Sequence, residues 1–276
     1  MKSNYRYIVK AFMAMAVIAG TTSCDDFLDR EPMSSISPET YYSTAAQLEA
    51  NLNDEYPNVL PSFGQWTYGI FGEDKGTDNQ IEVNANDRYT QDRWKVPHSE
   101  SDNWKFERIY RINFFLSEAL PKFGEDMSGS QNTISGSVAT IKHYIGEMYF
   151  LRAYEYFKKL QLFGDFPIIN QPLADEMEAL REASKRFPRN EVARFIISDL
   201  DKAYAYMSDV DMATTRINKD AAMLVKSRVA LFEATWLQNF KGTAFVPGGE
   251  GWPGASLHNN YQYPSCLLYT SPSPRD

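Results

Sequence analysis

Residues 146–169 read GEMYFLRAYEYFKKLQLFGDFPII, and this stretch decides the fold. With the residues before it, it completes a long amphipathic helix predicted over Val138–Phe163. Ile141, Ile145, Met148, Leu151 and Phe157 recur at helical spacing and form its apolar stripe. Gly164 suits the residue that closes a helix, because it adopts positive φ without a Cβ penalty, and Pro167 bars continuation.

The same pattern recurs to either side. A helix is predicted over about Asp102–Phe123, with Phe106, Ile109, Tyr110, Asn113 and Leu116 on one side. The Ser/Gly segment SGSQNTISGS (128–137) links it to the central helix. A further helix runs over about Asn190–Met207, with Val192, Phe195, Ile196, Leu200 and Ala203 inward, and another over about Lys219–Phe240, capped by Asn218. Towards the N-terminus, Ser37-Pro38-Glu39 supplies an N-cap with proline at the first helical position. Thr44 and Gln47 make a capping box ahead of Leu48, Leu52 and Tyr56, a run that Pro57 is expected to end.

Long amphipathic helices with little strand signal predict an all-α fold. Helix starts near 138, 190 and 219 are unevenly spaced, so no clean tetratricopeptide register is present. Small residues nevertheless recur where helix pairs must approach closely: Ala153, Ala203, Ala221, Ala222, Ala230 and Ala234. The expectation is a degenerate helix-pair solenoid with long irregular loops.

The chain has 276 residues, 43% apolar and 23% charged, which excludes a disordered chain, a collagen and a multi-span membrane protein. A net charge of −8 leaves no basic face for nucleic acid. Two cysteines and three histidines leave little for a zinc site or a disulfide framework. His98, His143 and His258 lack metal-ligand spacing, and no nucleophile-elbow motif occurs. Gly249, Gly251 and Gly254 spell G-x-G-x-x-G, but Pro253 interrupts it and no strand precedes it, so it reads as a glycine-rich loop. The run Glu73-Asp74 to Asp78 lacks the alternation and glycine of a calcium loop. Neither metal nor cofactor is expected, and no catalytic residue is assigned.

Residues 1–23 read as an export signal. Lys2, Arg6 and Lys10 precede the apolar run Ala11–Gly20, about half the roughly 20 residues needed to span a bilayer. Small residues Thr21, Thr22 and Ser23 then lead to Cys24, as in a bacterial lipobox, although Thr21 stands where that motif usually has leucine. Cys24 is therefore the expected lipidation site, and residues 24–36 the tether. Losing the three leader cations takes the net charge from −8 to −11. Residues 37–265 form the helical domain. Residues 266–276, CLLYTSPSPRD, match in translation a transposase adapter used for sequencing libraries and are expected not to be native.

Four segments together resemble the SusD/RagB family of outer-membrane glycan-binding lipoproteins. They are NWKFERIYRIN (103–113), residues 146–169 quoted above, RNEVARFIISDLDKAYAYM (189–207) and INKDAAMLVKSRVALFEATW (217–236). The start CDDFLDREP and the later Y-Y-S-T-x-x-Q-L also fit. The resemblance implies a mostly helical, tetratricopeptide-like scaffold whose irregular loops and later half form the ligand face. It implies capture of an oligosaccharide at the cell surface, delivery to a SusC-type TonB-dependent transporter, and no catalysis. Alternatives within the same kind of complex are a helical scaffold without a sugar site, or capture of a peptide cargo. Family members run to roughly twice this length, so residues 24–265 alone are expected to express poorly or aggregate, a solenoid cut mid-array leaving an apolar face uncovered.

The ligand site is expected in the irregular stretch 57–101, whose prolines and glycines break any helical period. Aromatic faces that stack on sugar C–H surfaces, and planar polar groups that bond hydroxyls, occur there as Trp66, Asp74, Asp78, Asn79, Arg88 and Trp94. The competing explanation is that these aromatics cover the end of the solenoid. The remaining motif residues are read as structural. Arg152 is expected to pair with Glu147 and Glu155 on its own helix, Asp199 and Asp201 to cap or pair locally, and Trp104 and Tyr110 to lie in the core.

Overall fold

The computed structural model describes residues 41–61, 103–124, 126–208 and 215–263. The export signal, Cys24, the tether, Ser37-Pro38-Glu39 and residues 266–276 lie outside the described residues. Among the described residues there are six α-helices, one short 3-10 helix and no strand. They are α1 (Ala45–Val59), α2 (Glu107–Phe123), α3 (Val138–Phe163), α4 (Met177–Ala183), α5 (Arg189–Tyr206) and α6 (Lys219–Asn239), followed by the 3-10 turn Pro253–Ser256. The all-α expectation holds, and all six helices belong to the compact unit that begins at Tyr42.

The central helix runs as its sequence dictates. Ser137 accepts a hydrogen bond from the Thr140 N–H at its start, and Gly164, at φ +68, closes it. α3 is buried nearly all round, not along one stripe, because it packs against α5, α2, α1 and α6. A helix so placed is apolar on every side, except where a neighbour supplies a partner for a polar group. α3 and α5 approach closely at Gly146. A Cβ there would lie 2.8 Å from the Met207 amide nitrogen and 2.9 Å from the Ala203 carbonyl oxygen of α5. No side chain larger than hydrogen fits that crossing.

The end signals are largely those expected. The Thr44 hydroxyl accepts from the Gln47 N–H while the Gln47 carboxamide accepts from the Thr44 N–H, completing the capping box. The Asn218 side chain caps α6 through the Ala221 N–H at 2.9 Å. Pro57, however, does not end α1, which continues to Val59. Pro57 removes only the amide that would bond the Asn53 carbonyl, a single lost bond so near the helix end, and the Asn58 carboxamide reaches back to the Asp54 carbonyl at 2.8 Å.

Two further expectations are corrected. α2 starts at Glu107, with Phe106 as its flanking residue, and Trp104 precedes the helix outside any regular element. Trp104 is half-buried among Phe106, Phe163 and Phe166, but Tyr110 is 52% exposed and lies outside the core. The short helix α4 has no buried residue, and so no apolar stripe that could announce it in the sequence.

Candidate functional site

None of the six expected ligand residues, Trp66, Asp74, Asp78, Asn79, Arg88 and Trp94, falls within the described residues, and neither does Cys24. The described part holds the helical scaffold. It also holds a cleft that the sequence did not announce.

Buried charges fix the scaffold. Arg152 of α3 pairs with Asp199 of α5, Nε to Oδ2 at 2.6 Å and Nη2 to Oδ1 at 2.8 Å, with both side chains at most 4% exposed. Its Nη1 also donates to Asn113 of α2 at 2.9 Å. The expected pairing with Glu147 and Glu155 is therefore wrong. Both lie on α3 with Arg152, but a helix buried on every side points successive residues at different neighbours. Glu147 takes Arg216 through two contacts of 2.8 and 2.6 Å and the Tyr56 hydroxyl at 2.7 Å. Glu155 takes Lys159 of its own helix at 3.3 Å. Asp201, expected to act locally, reaches Lys226 of α6 at 2.6 Å. His143, buried on α3, accepts the Ser208 N–H through Nδ1 at 3.3 Å and turns Nε2 to the Ile217 carbonyl at 3.0 Å, so it is satisfied within the core.

The cleft forms where α3 stops. Gly164 turns the chain, and Asp165 then receives two donors. Its Oδ1 accepts the Arg189 amide at 2.9 Å and its Oδ2 accepts the Trp252 indole N–H at 2.8 Å. Next, Phe166 and Phe187 exchange backbone hydrogen bonds at 3.2 and 3.1 Å, holding the F-G-D-F-P turn against the start of α5. Burial pushes the Asp165 carboxyl above its ordinary value, against the lowering pull of its two donors. Arg189 pairs with the buried Glu233 of α6 at 2.9–3.0 Å and lies 4.2 Å over the Trp236 ring. Burial likewise raises the Glu233 carboxyl.

The far wall is the loop after α6. The Trp236 indole donates to the Phe245 carbonyl at 3.1 Å, His258 contacts the Arg186 carbonyl at 2.8 Å, and Tyr261 donates to Glu191 at 2.7 Å. The glycine-rich run serves this packing. A Cβ on Gly254 would lie 2.2 Å from the Trp252 ring, and one on Gly249 would lie 1.9 Å from the Thr243 carbonyl oxygen. The enclosed space is about 500 Å³, lined among others by Phe163, Asp165, Arg186, Trp236, Phe245 and Trp252. Ligand pockets commonly have that size and combine apolar walls with a few placed polar groups. Sequence reasoning missed it because its wall reads only as a glycine-rich loop. The available signal was the pairing of W-P-G with F-G-D, about ninety residues apart. Among the described residues no group of three or more His, Cys, Asp or Glu side chains is placed to hold a metal ion. No helix among them is long and apolar enough to cross a membrane.

Residues 26–231 match the SusD-like family model described as "Starch-binding associating with outer membrane". The chain belongs to the SusD-like family. It is 24% identical over 269 residues to SusD-like protein P2 of Formosa agariphila, covering 93% of this chain and 49% of that protein. It is 25% identical to SusD-like protein P25 of the same organism, covering 78% of this chain and 41% of the other. The chain thus spans about half the length of these curated relatives. Among solved structures it is similar to a SusD-like carbohydrate binding protein from Bacteroides vulgatus, with a TM-score of 0.47, 15% identity, and coverage of 71% of this chain and 43% of that one. It is also similar to a laminarin binding SusD-like protein, with a TM-score of 0.38, 19% identity, and coverage of 52% and 29%.

Proposed function

We propose that the protein is a lipid-anchored component of the outer membrane that captures an oligosaccharide and passes it to a SusC-type TonB-dependent transporter. Family membership over residues 26–231 is the observation that carries this reading. The anchor is Cys24 after removal of residues 1–23, and residues 24–36 are the tether that lets the helical domain stand off the membrane. Two or more acyl chains on such a cysteine anchor stably where one is marginal.

In this proposal Trp66 and Trp94 supply stacking faces for the sugar, and Asp74, Asp78, Asn79 and Arg88 bond its hydroxyls. The protein performs binding and no chemistry, so selectivity resides in contact geometry. The helical scaffold supports this role. Buried pairs such as Arg152–Asp199 lock α3 to α5 and make the helical scaffold rigid.

The experiment is a calorimetric titration of the complete chain encoded at the native locus with malto-, laminari-, manno- and xylo-hexaose. Co-purification with a SusC-type transporter barrel is measured in parallel. Binding that Trp66→Ala or Trp94→Ala abolishes supports the reading. Barrel association without affinity for any of the four replaces it with a scaffold or peptide-capturing role. Turnover of any of them overturns the non-catalytic assignment.

A further inference from the structure

We infer that the cleft between the end of α3 and the loop after α6 is a second saccharide subsite, built from residues other than those of the Trp66–Trp94 segment. The inference rests on the capture reading above and adds a place and a set of contacts to it.

Three properties of the cleft point to a sugar. First, its mouth presents apolar surface to solvent: Leu162 is 58% exposed, Phe245 62% and Leu257 52%. Large apolar side chains gathered at the rim of a polar-floored cavity mark a binding site more often than a bare surface. Phe245 is an aromatic face of the kind that meets the C–H side of a pyranose ring. Second, planar polar groups converge on the same space. The half-buried Asp165 and the exposed Arg186 both line it, the Arg186 guanidinium stacked 4.6 Å from the Trp104 ring. A carboxylate and a guanidinium together offer acceptors and donors to vicinal hydroxyls.

Third, the walls are held before any ligand arrives. Asp165 is bonded to Trp252 and to the Arg189 amide, Arg189 to Glu233, and Trp236 to the Phe245 carbonyl. Both indole N–H groups at the cleft are spent on these internal bonds, so their rings act as walls and make no polar demand on the ligand. Preorganisation of this kind lowers the ordering cost of binding. The charges on this lining offset one another: Arg189 is neutralised by Glu233, and Asp165 stands opposite Arg186. That balance fits a neutral sugar unit better than an anion. A volume of about 500 Å³ open at the mouth lets a longer glycan enter by one or two residues.

The test uses the same four hexaoses and the complete chain, with Phe245→Ala, Arg186→Ala and Leu257→Arg made singly. The first two remove the stacking face and the donor, and the third crowds the mouth. All three residues are exposed at the rim, and a thermal melt for each variant checks that the fold is retained. The expected result is a weakening of about tenfold or more in each variant at an unchanged melting midpoint. Unchanged affinity in all three overturns the second subsite. If Trp66→Ala or Trp94→Ala still abolishes binding in those titrations, the capture reading stands without it. Failure of all four hexaoses to bind the unaltered protein overturns both.

Discussion

Arg152 and Asp199, 47 residues apart in sequence, meet in a two-pronged ion pair sealed between α3 and α5. Arg152 also holds Asn113 of α2, so one guanidinium ties three helices together. The carboxylate sets the guanidinium's plane, and the Tyr149 and Phe195 rings, each 5.2 Å away, cover it. A fork-shaped cation suits such a place, where a lysine's point charge would satisfy fewer acceptors.

Breaking that pair from one side leaves a buried charge unpaired. Arg152→Ala and Asp199→Ala are each expected to cost about 3–5 kcal/mol in urea unfolding. The double replacement Arg152→Met with Asp199→Leu is expected to cost less than either single change, because no buried charge is then left alone. A double variant as unstable as the sum of the singles would show that the pair has no such coupling.

Gly146 makes a second stability prediction. Gly146→Ala puts a methyl group within 3 Å of α5 backbone, and backbone yields less readily than a side chain. The expected cost is about 1–3 kcal/mol, even though alanine favours helix over glycine by about 1 kcal/mol. A stabilised Gly146→Ala variant would mean that α3 and α5 do not approach as closely as they do here.

Asp165 sets a pH dependence. Burial raises its carboxyl above the ordinary value of 3.8, so the native state binds its proton at higher pH than the unfolded chain does. Stability owed to this group is therefore fully present below the unfolded value and falls as pH rises through the folded one. Asp165→Asn does not titrate. The stability of the unaltered protein relative to Asp165→Asn is expected to decline as pH rises above the ordinary carboxyl value of 3.8, as read from urea melts. An advantage that grows with pH would reverse the assignment.

The capping box gives a smaller effect. Thr44→Ala removes the acceptor for the Gln47 amide, and the expected loss is about 1 kcal/mol. Tyr110→Ser, at an exposed position where the sequence suggested core, is expected to change stability by less than about 0.5 kcal/mol. A large loss at Tyr110 would restore it to the core.

The helices were legible because their causes are local. Periodic apolar residues, Thr44 with Gln47, Asn218 and Gly164 act within one turn of where they stand, and the ends of α3 fall where the sequence puts them. The all-α class and the family resemblance follow from the same residues. Small residues such as Ala153 and Ala203 could be read as close approaches, but Gly146, where α3 meets α5, was not among them, and the helix that approaches could not be read.

What only the tertiary structure decided is which distant groups meet. Arg152 had three carboxylates within plausible reach, two of them on its own helix, and the rotation of a fully buried helix gave it Asp199 instead. The same holds for Arg189 with Glu233, and for Asp165 with Trp252, 87 residues away, a bond that turns a glycine-rich loop into a cleft wall. Local propensity is set by neighbours in the chain. The pairing of buried charges is set by desolvation, which compels each charge to find its partner wherever packing has brought one within reach.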